Sequence, residues 1–182
     1  AIPELPDARK KTYMEKYGLT AYDAEILTSE KAMADYFEKA AAVTAFPKLA
    51  ANLLISEFLR LLPGEGFDCP VRPEHLGELA TLLGNEEINS STAKKVIKTL
   101  FEKDGSPRAL VEKEGLFQIN DEALLGKLVD EVIAENPQSV ADFRRGKTAA
   151  AKSLVGQVMK KTAGNGNPVL INRLMNEALE KA

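Results

Sequence analysis

At 182 residues, with 45% apolar and 28% charged side chains and a net charge of −3, the chain has the make-up of a soluble globular protein with room for one core or two small ones. Its single cysteine, Cys69, excludes an intrachain disulfide and fits a reducing, cytoplasmic setting. No apolar run approaches the roughly 20 residues that span a bilayer, and the opening residues, Ala1-Ile2-Pro3, lack both a signal-peptide pattern and an initiator methionine, as expected of a processed chain or a piece of a longer polypeptide.

Asp7 stands where it would cap a first helix over residues 8–17, which Gly18 stops, and Thr20 would cap a second over 21–27. Thr28-Ser29-Glu30 opens a third that runs to about residue 42. After Phe46-Pro47 comes the longest helical stretch, 48–62, whose Leu49, Leu53, Leu54, Phe58, Leu61 and Leu62 cover a wide arc and mark it as the centre of the first core. Pro63-Gly64 ends it. A loop over 65–72 precedes a short helix, 74–83, opened by Pro73 and ended by Gly84. Ser90 and Ser91 are the expected caps of a helix over 92–103, and Ser106-Pro107 begins a short segment to residue 112. Residues 113–119 read as a connector with a few extended residues. Asn120-Asp121 caps a helix over 122–135, and three more helices complete the chain. Asn136-Pro137 and Asn167-Pro168 each read as a cap followed by proline at the first helical position. No sustained apolar/polar alternation bounded by hairpin turns occurs, so the fold class is all-α: a larger irregular helical domain followed by a small helical bundle. The boundary falls near residues 115–120, dividing the chain into 1–117 and 118–182.

Charge is distributed unevenly. Residues 143–176 carry seven basic side chains (Arg144, Arg145, Lys147, Lys152, Lys160, Lys161, Arg173) and no carboxylate. The first 119 residues have a net charge of −4 and the remainder +1, so a positive end sits on an acidic body and points toward a polyanion. Ala151, Leu154, Val155, Val158 and Thr162 form the apolar stripe of an amphipathic helix, with Lys152, Gly156 and Lys160 at i, i+4, i+8 on the other side, beside Ser153 and Gln157. A glycine inside a helix costs roughly 1 kcal/mol against alanine. Two readings of Gly156 stand open: close approach of an outside surface between two cations that contact phosphates, or close packing of a neighbouring helix beside a solvated lysine face. Gly164 suits the left-handed residue that closes this helix, and the turn over 163–167 is either a plain turn or an anion-accepting one.

Catalytic signals are poor. His75, the single histidine, has Glu74 and Glu78 nearby, but Glu74 points elsewhere and no second histidine or cysteine cluster completes a metal site. Cys69 has no obvious basic activator. Gly146-Lys147-Thr148 has the end of a phosphate-binding loop, but Ala141 occupies the position of the required first glycine and the preceding residues are helical. Carboxylate pairs such as Glu86-Glu87 lie in polar turns.

Two long stretches carry a family likeness. The first holds Leu5-Pro6-Asp7-Ala8-Arg9, Tyr13, Tyr17-Gly18-Leu19, Tyr22-Asp23-Ala24, Leu27-Thr28 and Ala34-Asp35-Tyr36-Phe37-Glu38. The second holds Asp130-Glu131-Val132-Ile133, Asn136-Pro137, Phe143-Arg144, Gly146-Lys147, Leu154-Val155-Gly156-Gln157-Val158-Met159-Lys160 and Asn167-Pro168. Together they resemble the C-terminal part of the B subunit of the bacterial aspartyl/glutamyl-tRNA amidotransferase, its helical domain followed by a YqeY-like tail. Residues 65–113 match more loosely, Leu53 stands where the family carries tryptophan, and Lys152 where it carries a small residue.

The resemblance implies a part of a heterotrimer of A, B and C subunits that converts Glu-tRNA(Gln) or Asp-tRNA(Asn) to Gln-tRNA(Gln) or Asn-tRNA(Asn), with glutamine as amide donor. ATP and magnesium would be used by a cradle domain that this chain lacks, leaving these residues without a cofactor. The implied role is to hold the outer corner of the tRNA, with no membrane partner. Such recognition rests on shape, phosphates and 2′-hydroxyls. The expected contacts are Arg144, Arg145, Lys147, Lys152, Lys160 and Lys161, with Gly156, Gln157 and Asn165 as close-approach or hydrogen-bonding groups. The alternative expectation is a protein-interaction module that docks on an acidic partner.

Overall fold

A computed structural model describes residues 5–181. Among them are eleven helices and no strand, and an isolated parallel bridge joins Ile119 to Gly166. The all-α expectation holds. No described helix is long and apolar enough to cross a membrane. The chain forms two compact units, Ala1–Gly115 and Leu116–Ala182.

In the first unit, α1 is Pro6–Tyr17, α2 Ala21–Thr28, α3 Lys31–Ala42, α4 residues 47–61, α5 Pro73–Gly84, α6 Ser90–Glu102 and α7 Pro107–Glu114. α1 starts one residue before Asp7, because Pro6 brings a preset φ and no N–H to an end where N–H groups lack partners. Asp7 therefore sits in the first turn, where the helix dipole favours it, and does not cap. Thr20 and Ser106 cap as expected, each accepting a bond from the amide three residues on. Thr28 and Ser29 do not open α3: their hydroxyls turn back to Ala24 and Ile26 carbonyl oxygens, both at 2.7 Å, which extends α2. The cap of α6 is Asn89, whose Oδ1 accepts from Thr92 N at 2.9 Å, so Ser90 and Ser91 are already helical.

α4 departs most from the sequence reading. Its middle turn, Leu54–Phe58, is π-helical. The extra residue in that turn rotates the remainder of the helix by about 100°, so Leu53, Leu54 and Phe58 are buried while Leu61 is left 44% exposed. The unit's core is built from Tyr13, Leu27, Phe37, Leu54, Phe58, Leu76 and Leu79, all essentially inaccessible. α5 comes close to α3: a Cβ on Gly77 would lie 2.6 Å from the Ala40 carbonyl oxygen and against Val43. Arg9, with 13% of its side chain exposed, ties α1 to α3 through Asp35 and through Glu38 Oε1 at 2.9 Å, which also accepts the Tyr13 hydroxyl at 2.8 Å.

In the second unit, α8 is Glu122–Glu135, α9 Pro137–Arg144, α10 Ala149–Lys161 and α11 Pro168–Lys181. Leu125, Val129, Val132, Leu154, Val158, Ile171, Met175 and Leu179 form its core. Asp121 caps α8, and Asn167 caps α11 through bonds from Val169 and Leu170 amides at 3.0 and 3.2 Å. Asn136 does not repeat that device. Its side chain donates to Val132 O at 2.8 Å and forms a two-way amide pair with Gln157, at 2.8 and 3.1 Å.

Candidate nucleic-acid interface

α10 is amphipathic in the expected register. Leu154 and Val158 are fully buried, Thr162 is buried just beyond the helix end, and Ala151 and Val155 are partly buried. On the outer side, Lys152, Gly156 and Lys160 are exposed along a line of about 12 Å, set by the 1.5 Å rise per residue. Among the described residues no carboxylate pairs with either lysine. A Cβ built on Gly156 would meet nothing within 4 Å. Close packing of a neighbouring helix therefore does not account for this glycine, and its backbone lies bare between two unpaired cations.

The connection into α10 adds charge. Arg144 ends α9 and Arg145 follows it, both exposed and without an ion pair among the described residues, where the negative end of the helix favours cations. Gly146 turns the chain with φ 91°. Lys147 is exposed but leans to Asp142 at 3.6 Å. Arg144, Arg145 and Lys147 thus lie at the corner that leads into α10, which itself carries Lys152 and Lys160.

The other expected residues are held differently. Lys161 faces α8, with Glu135 at 2.9 Å and Glu131 at 3.3 Å. These carboxylates, Glu135 first, keep its ammonium protonated to higher pH than an ordinary lysine. Gln157 is engaged with Asn136, and the Asn165 carbonyl accepts the Ile119 amide at 2.7 Å. Arg173 reaches Glu122 at 2.8 Å. Sequence reasoning counted Lys161 among the six available cations because the carboxylates that neutralise it, Glu131 and Glu135 of α8, are distant in the chain.

A family model described as the GatB domain matches residues 35–179, a span that includes α10 and the corner before it. The chain belongs to this family. It is 48% identical over 184 residues to the B subunit of the aspartyl/glutamyl-tRNA(Asn/Gln) amidotransferase of Geobacillus thermodenitrificans, covering 100% of the chain and 39% of that protein. The corresponding B subunit of Carboxydothermus hydrogenoformans is 44% identical over 183 residues, 99% of the chain and 38% of the relative. The chain thus spans about two fifths of the length of the curated relatives it matches.

Other polar groups of this GatB-domain chain are used within the fold. Backbone amides 163–167, the candidate anion cradle, donate to Lys160 O, Met159 O, Thr162 O, Thr162 Oγ1 and Ile119 O at 2.8 to 3.1 Å. That turn has no amide left for a phosphate. The amides of Gly146, Lys147 and Thr148 are likewise spent on Phe143, Asp142 and Gly146 oxygens. His75 Nδ1 lies 2.7 Å from Asp104, and Glu78 accepts from Ser106 and the Arg108 amide. Cys69 lies 3.5 Å from the Tyr36 hydroxyl, and burial pushes its thiol up, away from the reactive thiolate. No group of three or more His, Cys, Asp or Glu among the described residues could hold a metal ion.

Proposed function

We propose that this chain is the tRNA-holding part of a B subunit in a cytoplasmic, glutamine-dependent Asp/Glu-tRNA amidotransferase, and that the outer side of α10 with the α9–α10 corner rests on the tRNA backbone. The observation that carries the reading is the open Gly156 between the unpaired Lys152 and Lys160. An ordinary helix surface gains nothing from a glycine there, whereas a phosphate–sugar chain can approach the bare backbone while the ammonium groups displace its counterions. Arg144 and Arg145 extend the positive path with planar guanidinium groups suited to phosphate. Contacts of this kind read shape and backbone, which suits a folded RNA whose bases are largely paired. Lys161, Gln157 and Asn165 support the surface from within.

On this reading, activation with ATP and magnesium belongs to a part of the B subunit outside these residues, and ammonia release to the A subunit, in complex with the C subunit. No step of that chemistry is assigned to the residues of this chain. The test is tRNA binding to the 182-residue chain across a salt series. Replacing Lys152 and Lys160 by glutamate should weaken binding at least about tenfold and flatten the log–log salt slope by about 1.4 to 1.8, the loss of two phosphate contacts. Unchanged binding rejects the surface; binding of an acidic protein in place of tRNA, lost in the same variant, assigns it to protein docking.

A further inference from the structure

The π-helical turn of α4 faces a cavity of about 310 Å³ in the first unit, within the range of roughly 300–1,000 Å³ usual for small-ligand pockets. Turns of this kind recur at binding sites because the extra residue displaces side chains from the regular helical register. Leu49, Leu53 and Leu83 supply apolar walls, and the polar lining comes from Ser56 and Glu57 of the π turn, Lys94 of α6, and Asn52 and Ser90.

Glu57 is the unusual member. Its side chain is 19% exposed, and its one partner is Lys94 Nζ at 3.6 Å, too long for a hydrogen bond. Among the described residues no N–H or O–H donates to it, and its oxygens are not sealed from solvent, so their acceptor sites are open to a ligand in the cavity. Lys94, 58% exposed, is the more open member of the pair. This pair restricts the ligand. A simple cation is repelled by Lys94 and a simple anion by Glu57, whereas a molecule with N–H donors at its inner end and an anion at its outer end satisfies both. Exposed Lys98, one helical turn beyond Lys94, adds a second cation for the outer group.

We propose that the cavity takes one unstacked guanine nucleotide: N1–H and N2–H toward the two Glu57 oxygens, the ring between leucines, the phosphate outward to Lys94 and Lys98. Guanine presents two adjacent N–H donors on one edge, matching the spacing of a carboxylate's oxygens. The nucleotide is either free or an unpaired guanine of an RNA; the second source rests on the tRNA-holding function, the first does not.

Calorimetric titration of the chain with guanosine monophosphate and adenosine monophosphate tests the cavity directly, and nuclease footprinting of bound tRNA tests the RNA source. Guanosine monophosphate should bind at least about tenfold more tightly than its adenine counterpart, and Glu57→Gln should remove about that preference. Ser56→Phe, which occupies the cavity and leaves the carboxylate in place, should cause the same loss with unchanged circular dichroism. Lys152→Glu with Lys160→Glu should leave mononucleotide binding intact, separating this cavity from α10. If mononucleotides are too weak to detect but one unpaired guanine of the tRNA loses protection in Glu57→Gln, the site is an RNA subsite. The proposal is overturned if neither effect appears, if both nucleotides bind alike regardless of Glu57, or if free leucine binds through Glu57 and guanosine monophosphate does not.

Discussion

Gly77 of α5 and Gly156 of α10 are both glycines inside helices, and each carries the same intrinsic penalty of roughly 1 kcal/mol. Around Gly77 a methyl group would collide with the Ala40 carbonyl and Val43, whereas around Gly156 it would meet nothing. One cation of the first unit and two of the second differ in the same way. Arg9 is shielded and shared between two carboxylates, but Lys152 and Lys160 stand unpaired. A helical glycine or a basic side chain does not by itself point to a ligand. It does so when the folded chain supplies no internal reason for it.

The largest effect that can break this contrast is Gly77→Ala. The blocking atom is a backbone oxygen at 2.6 Å, which cannot swing aside, so the variant should lose about 2 kcal/mol or more in urea denaturation. Gly84→Ala should cost less, about 1 kcal/mol, because its obstacle is the ring of Phe46, a side chain with some freedom to move. A Gly77→Ala protein as stable as the parent would remove the internal half of the comparison.

The next effect concerns charge. Arg9 holds the carboxyls of Asp35 and Glu38 below their ordinary values, chiefly by hydrogen bonding. Groups whose pKa is lowered by folding stabilise the fold above their unfolded pKa, about 4, and lose that contribution as pH falls through the folded values. Stability of the first unit should therefore be level near neutrality and decline below about pH 4.5. Arg9→Met should be less stable at pH 7 and should show a shallower decline between about pH 5 and pH 3. Both carboxylates are partly solvated, so the change in slope is the sharper readout. An identical acid slope in the variant would show that the ion pairs are not coupled to folding.

How far these contrasts were legible in the sequence depends on the range of each interaction. The Thr20, Ser106, Asp121 and Asn167 caps act on amides two or three residues away, so residue type and spacing sufficed. Asn136 has the same local signature as Asn167, yet its side chain goes to Gln157, 21 residues on, which no local pattern encodes. The π turn escaped notice because its leucines extend an apolar arc that a regular helix explains equally well. The exposed side of α10 could be read from its period. That Glu131 and Glu135 neutralise Lys161, while among the described residues no carboxylate reaches Lys152 or Lys160, depends on how α8 packs and required the folded structure.

The smallest expected effect discriminates best. At Gly156 a methyl group has room and α10 is otherwise regular, so Gly156→Ala should stabilise the second unit by about 0.5–1 kcal/mol, the recovered helix propensity. If the bare backbone is where a tRNA strand comes close, the same methyl should weaken tRNA binding about threefold to tenfold, as expected when a good contact is pushed out of range. A glycine needed for internal packing would lower stability and binding together. One on an idle surface would raise stability and leave binding unchanged. Opposite signs in thermal denaturation and tRNA titration are therefore expected only when an external partner occupies that space.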